Sequence, residues 1–188
     1  EFSLSFDGFD GETRTVRLKF DIKELWSFSR DTSSVAFDFL VLSMLVYNVD
    51  RAIKRNRYSI DGWHRTIRMV NIPVINIDAM NIGKDEFERA ICFLTGDAWI
   101  FDFIQSEGYE YAPTNMPSYK IDEYEEISLF SGGLDSFLSC ARLVYQGYKV
   151  YLIHFDNGSC IGTENIQIGA ERLQKMYKDK VEFLGIAS

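Results

Sequence analysis

Cysteine is scarce in this chain: only Cys92, Cys140 and Cys160 occur among 188 residues. They are widely spaced, odd in number and form no CxxC pair, which argues against a disulfide scaffold and a self-contained zinc site and for free thiols in a reducing compartment. Histidine is rarer still, and His64 and His154 lack the spacing of metal ligands. Basic residues are outnumbered, 20 Lys and Arg against 28 Asp and Glu, so the net charge is −8 and the pI lies near 4.8. That balance disfavours a broad surface for bare nucleic acid or anionic lipid and makes nucleic acid an unexpected direct ligand. The longest apolar run, Val35 to Tyr47, is too short to cross a bilayer and contains Asp38. The first residues, EFSLSFDGFDGE, lack the basic and apolar segments of a signal peptide, so a cytoplasmic protein is expected. There is no internal repeat and no low-complexity tract.

What is abundant is apolar and aromatic side chain, 46% and 15% of the chain, enough for a packed core in one ordinary domain or two small ones. Ser3 to Phe6 and Thr13 to Phe20 read as a hairpin around DGFDGE. Apolar periodicity from Ser33 to about Arg55 predicts the main helix of the N-terminal region. Trp63 to Val74 favours strand, Lys84 to Leu94 a short amphipathic helix, and Ala98 to Ile104 another strand, so residues 1–118 are expected to form a small α+β domain. Trp26, Trp63 and Trp99 are expected as core or interface anchors. His64, beside Arg65 and Arg68, reads as a satisfied surface histidine, with a local binding patch as the alternative. The segment from Gln105 to Glu126 is rich in proline, tyrosine and acidic residues and is where the domain boundary is placed. Its run Asp122, Glu123, Glu125 and Glu126 reads as a solvated linker.

Residues 119–188 follow a βαβαβ order: EISLF, the turn SGGLDS, a helix from Phe137, the strand YKVYLIHF, a helix from about Thr163 to Tyr177, and VEFLGIA. This is the α/β pattern of a parallel sheet, and the continuous apolar run VYLIHF suits a strand covered on both faces. About seventy residues are few for a complete sheet of this kind, so the sheet is expected to be incomplete and finished by a continuation or by a second polypeptide.

The chemistry is concentrated in Ser131-Gly132-Gly133-Leu134-Asp135-Ser136. Adjacent glycines permit a tight turn and close backbone approach, while the two serines and the amides at a helix start can cradle phosphate oxygens. Asp135 would orient the loop or help hold Mg²⁺. The plain alternative is a Gly-rich turn with a helix cap. The pattern is neither GxxxxGK[ST] nor GxGxxG, which turns the reading away from kinases, P-loop NTPases and dinucleotide dehydrogenases. His154 is weighed between ligand proximity at a strand end and packing.

SGGLDS resembles the signature of the PP-loop ATP pyrophosphatase superfamily, with the fold of the adenine nucleotide α-hydrolases. SGGLDSFLSCARLVYQGYKVYLIHFDNG is similar to its 7-cyano-7-deazaguanine synthase (QueC-like) group. The preceding segments VLSMLVYNVDRAIKRNRY, DGWHRTIRMVNIPV and FLTGDAWIFDF make the layout most similar to the QatC-type proteins of bacterial anti-phage systems. The resemblance implies that Ser131, Gly132, Gly133, Leu134, Asp135 and Ser136 bind the pyrophosphate of ATP. Asp135 and Ser136 would serve catalysis, and Asp135 the Mg²⁺. His154, Phe155 and Asp156 would lie near the adenosine, and Asn157 in the loop that follows. Biosynthetic members tend to read YGQ there, whereas this chain reads FDNG. The family's Cys-rich Zn²⁺ site has no counterpart within these residues.

The implied reaction activates a carboxylate of a 7-deazaguanine-type substrate as an acyl-adenylate, releasing pyrophosphate, before an amine displaces AMP. The products would be an amide, a nitrile or a conjugate with a partner protein of a defence system. The alternatives are another PP-loop amidation or tRNA-modification reaction, and a noncatalytic ATP-binding scaffold.

Overall fold

A computed structural model describes residues 2–7, 12–18, 33–59, 61–108, 123–156 and 163–187. The chain divides into two compact units. The expected boundary at residues 118 and 119 lies outside the described residues, as do Trp26, Asp122 and Cys160.

The first unit opens with an antiparallel hairpin of β1 (Phe2–Asp7) and β2 (Thr13–Leu18), in register from Phe2↔Leu18 to Asp7↔Thr13. Helix α1 (Val35–Ala52) starts at Ser34, whose hydroxyl accepts from the amide of Phe37 at 3.2 Å. This is the cap expected of serine at a helix start. The helix ends before Arg55, and α2 (Arg55–Tyr58) is a separate turn. The break has a cause: Ile53 leaves helical geometry, and its carbonyl accepts from the guanidinium of Arg65.

Strands β3 (Thr66–Val74) and β4 (Ala98–Gln105) are parallel, joined by α3 (Ile77–Thr95). The first region thus contains a parallel β-α-β crossover beside its hairpin, a feature that the α+β expectation did not contain. Helix α3 also begins seven residues before Lys84. Its entry is held by Asp38, fully buried in α1, which accepts from the amides of Ile75 and Asn76 at 2.9 and 2.8 Å and from Asn76 Nδ2 at 2.9 Å. The one acidic residue of the apolar run therefore satisfies main-chain donors between β3 and α3. Strand β3 starts at Thr66 rather than Trp63, and its register shifts between Met69 and Ile72, where Asn71 takes a φ of 58°. Such a bulge is among the few places where a non-glycine residue adopts a left-handed backbone.

The charges of this unit gather around Asp97, whose side chain is fully buried. Arg65 donates to it from its main-chain amide at 2.9 Å, from Nε at 3.1 Å and from Nη2. Arg65 also reaches Asp50 through Nη2, and Arg55 donates to Asp97 at 2.7 Å and to the carbonyl of Thr95 at 2.7 Å. Arg65 is therefore a buried structural residue and not part of a binding patch. His64 is exposed and paired with Asp61 at 2.7 Å, and Arg68 is paired with Asp102 at 2.8 Å. Trp99 is buried as expected, but Trp63 is 71% exposed and is no core anchor.

In the second unit β5 (Glu126–Leu129), β6 (Val150–Asp156) and β7 (Val181–Ala187) form a parallel sheet in that order. Helices α4 (Leu134–Tyr145) and α5 (Thr163–Tyr177) are the crossovers. Phe130, Cys140, Val144, Ala170 and Leu173 pack with Val150, Leu152 and Val181 into one core. Val150, Tyr151 and Leu152 are all buried, so the start of β6 is covered on both faces, as its continuous apolar run predicts. Glu126 opens β5 rather than belonging to a linker, and Glu125 just before it is tied to the same neighbour: both amides donate to the carbonyl of Lys149, and the Glu125 carboxylate accepts from the Lys149 amide at 3.0 Å. No helix among the described residues is long and apolar enough to cross a membrane.

Two predictions follow from the buried groups. Burial pushes the Asp97 carboxyl up, but the hydrogen bonds from Arg65 and Arg55 outweigh it and hold the group below the usual carboxylate range. Its contribution is then present above about pH 4, the unfolded carboxylate value, and is lost as pH falls through the lower folded value. Arg65→Ala leaves the buried carboxylate with Arg55 as its remaining cationic partner among the described residues, and urea titration is expected to give a loss of about 3 kcal/mol at neutral pH that shrinks on acidification. Burial likewise pushes the Cys140 thiol up to about 11. Iodoacetamide at pH 8 is expected to spare Cys140 in the folded chain and to alkylate it after denaturation, as read by peptide mass.

Candidate functional site

The C-terminal ends of β5 and β6 meet at the loop that the sequence singles out. Phe130, 2% exposed, closes β5 by donating its amide to the carbonyl of Ile153 at 2.8 Å. The chain then turns at Gly132, with φ 75°, passes through extended Gly133 and enters α4 at Leu134. The helix thus begins three residues before Phe137. Leu134, Asp135 and Ser136 form its first turn rather than the tail of the loop.

The turn closes on itself through its serines. Ser136 Oγ donates to the carbonyl of Gly133 at 2.9 Å, and Ser131 Oγ lies 3.3 Å from Ser136 Oγ. The Gly133 amide points at Ser131 Oγ from 3.5 Å. The first helical bond, from the Phe137 amide to the Gly133 carbonyl, is 3.1 Å. Helix α4 has no side-chain cap, which leaves the amides of its first turn for another acceptor. Ser131, Gly132, Gly133, Leu134 and Asp135 are all exposed, so the rim of the loop is open. Donors, positive helix end and two hydroxyls together form a cradle suited to an anion. The Leu134 side chain, 72% exposed, has no polar atom to offer, so Leu134 contributes through its main chain alone.

Gly132 is required for two separate reasons. A side chain is disfavoured at its φ, and a Cβ there would stand 2.5 Å from Ile166 Cγ1 and 3.2 Å from Ile166 Cα in α5. The loop therefore packs directly beneath the first turns of α5. Gly133 meets only Ser131 Oγ, at 3.5 Å.

His154 is half-buried at the end of β6, and its Nδ1 lies 3.0 Å from the carbonyl of Phe130. A carbonyl only accepts, so Nδ1 carries the proton of this contact and Nε2 faces away from it. This contact brings His154 beside the start of the loop. Phe155 follows, 43% exposed. Asp156 ends β6, paired with Ala187, and its side chain lies outside the description, as does Asn157 altogether.

Among the described residues no group of three or more His, Cys, Asp or Glu is arranged to hold a metal ion. Asp135 hydrogen-bonds and pairs with no described residue and stands exposed in the first turn of α4. Magnesium is commonly held by one or two carboxylates together with substrate phosphates, so a single free Asp135 fits that role without a protein cage. Sequence reasoning missed the hydrogen bond from His154 to Phe130 and the packing of Ile166 on Gly132, since both link distant segments.

The two glycines give a clear contrast. Gly132→Ala is expected to cost about 2–4 kcal/mol in urea unfolding from backbone strain and overpacking, while Gly133→Ala is expected to cost less than about 1 kcal/mol.

No protein-family model, curated protein or solved structure matches the chain.

Proposed function

We propose that this chain is an ATP-dependent enzyme, or part of one, of the PP-loop type, with the QueC-like group and its anti-phage QatC-type members as the nearest reading. The observation that carries the reading is the strand, Gly132 turn and uncapped α4 start, with Ser131 and Ser136 hydroxyls 3.3 Å apart on the open rim. The parallel order β5-β6-β7 supports it, because it gathers this turn and His154 at the carboxyl end of the sheet, where open α/β sheets bind ligands.

In this reading the pyrophosphate of ATP lies against the amides of the first turn of α4 and the hydroxyls of Ser131 and Ser136. Mg²⁺, with Asp135 as a protein ligand, would neutralise phosphate charge. A carboxylate oxygen of a 7-deazaguanine-type acid attacks the α-phosphorus, and the bond from that phosphorus to the bridging oxygen breaks. Pyrophosphate leaves with the electron pair. An amine nitrogen then attacks the acyl carbon, AMP departs, and the nitrogen loses a proton. The protein's share is positioning the reactants and stabilising the departing charge. In the same reading His154, held beside the start of the loop by the Phe130 carbonyl, would lie near the adenosine.

The test is ATP turnover scored as AMP plus pyrophosphate, with and without a 7-deazaguanine carboxylic acid, on material of known intact mass. AMP formation that needs the acid and falls about a hundredfold in Asp135→Ala is the expected result. ATP binding without turnover would make the loop a nucleotide-binding scaffold, and absence of both would overturn the reading.

A further inference from the structure

The parallel sheet of the first unit has two outer edges, and the protein treats them differently. The amide of Ala98 donates to the carbonyl of Arg65 at 2.9 Å, with Thr66 opposite Ala98. In a parallel ladder this phase turns the main-chain groups of Arg65, Ile67 and Met69 toward β4 and those of Thr66, Arg68 and Val70 away from it. The same phase puts the amides of Trp99 and Phe101 on the outer edge of β4, and both are taken by α3. Trp99 donates to Cys92 Sγ at 3.3 Å, and Phe101 donates to Glu88 Oε1 at 2.8 Å. That edge is closed in the way proteins close edges that must not pair.

Among the described residues the outer edge of β3 has no such cover. No described residue hydrogen-bonds to the main chain of Thr66, Arg68 or Val70. These residues line an open cavity of about 350 Å³ whose other wall is Leu4 to Asp7 of β1. Among the described residues strand β1 is itself paired on one side only, with β2. Two unpaired strand edges of one unit therefore line the same space, with Val49, Ile53 and Tyr58 as its apolar floor.

We propose that this cleft receives an extended segment of another protein, which adds as a strand to the free edge of β3. Alternating donors and acceptors at the two-residue repeat of a strand are met most fully by an extended polypeptide, as in other cases of strand addition. The charged groups that line the cleft are already engaged. Arg65 is held by Asp97 and Asp50, Arg68 by Asp102, and Asp7 accepts from the Thr13 hydroxyl at 2.7 Å. Among the described residues the cleft thus has no free cation to select a phosphate or nucleotide, and it selects by main-chain pairing and by apolar side chains at alternate positions. The net charge of −8 works against a second copy as the occupant and favours a neutral or basic segment. The proposal stands whether or not the Gly132 loop binds ATP.

The test uses the full chain and a displayed library of random peptides of about nine residues. Enriched sequences are expected to alternate apolar and polar residues and to bind saturably by fluorescence anisotropy. Arg68→Pro removes one outward amide and leaves the ladder to β4 intact, so it is expected to weaken binding about tenfold or more, while Arg68→Ala leaves binding unchanged. Circular dichroism melts check that both variants fold. If Arg68→Pro does not, N-methylation along the bound peptide on the unaltered protein reads the same contact, with affinity expected to fall at every second position. A library without binders, binding indifferent to Arg68→Pro, or N-methyl effects without that period would overturn the proposal. Sedimentation showing a dimer lost in Arg68→Pro would overturn it in favour of a second copy.

Discussion

The first unit depends on one buried ion pair. Asp97 stands just before β4 and Arg65 just before β3, so their contact sets the two parallel strands in register before either begins. The same guanidinium takes the carbonyl of Ile53 and the carboxylate of Asp50, which fixes where α1 stops. Arg55 adds a second cation and ties the end of α3 through Thr95. A buried pair of this kind adds little net stability over an apolar substitute, but it is costly to break on one side, and it specifies one arrangement among several apolar ones. Here it joins the end of α1, α2, the end of α3 and both strand starts.

The second unit is governed by shape rather than charge. A left-handed residue without a side chain is needed where β5 turns into α4, because Ile166 of α5 occupies the space that a Cβ would take. That turn exposes the first amides of α4 and brings Ser131 to Ser136. A strand, a sharp glycine turn and an uncapped helix are the parts from which phosphate cradles are made.

How much was legible beforehand follows from the range of the interactions. The hairpin, the strands of the parallel sheet and the helices of the second unit are read from local periodicity and turn residues, which act within a few positions. The six loop residues are legible for the same reason. Helix α3 extends N-terminal of the amphipathic stretch that begins at Lys84, because its entry is held by Asp38, far away in α1. The parallel pairing of β3 with β4 and the burial of Arg65 share that cause, since both rest on Asp97. Trp63 lies outside the core because size and aromaticity say nothing about which side of a turn a ring lies on; it follows Asp61, whose carboxylate accepts from the amides of Trp63 and His64. At the loop, the residues were visible but the hydrogen bond that places His154 was not.

The seat of Ile166 on Gly132 has one more consequence. Because the helix rests on the bare backbone of the turn, the two cannot settle independently: a turn that is held still holds the start of α5 still, and a helix that frays leaves the turn without its ceiling. Any molecule that prefers the ordered turn is by mass action also a stabiliser of α5, and through Ala170 and Leu173 of the core beneath it. The unit thus carries a built-in reporter, in which amide exchange at the start of α5 registers how firmly the turn beneath it is held.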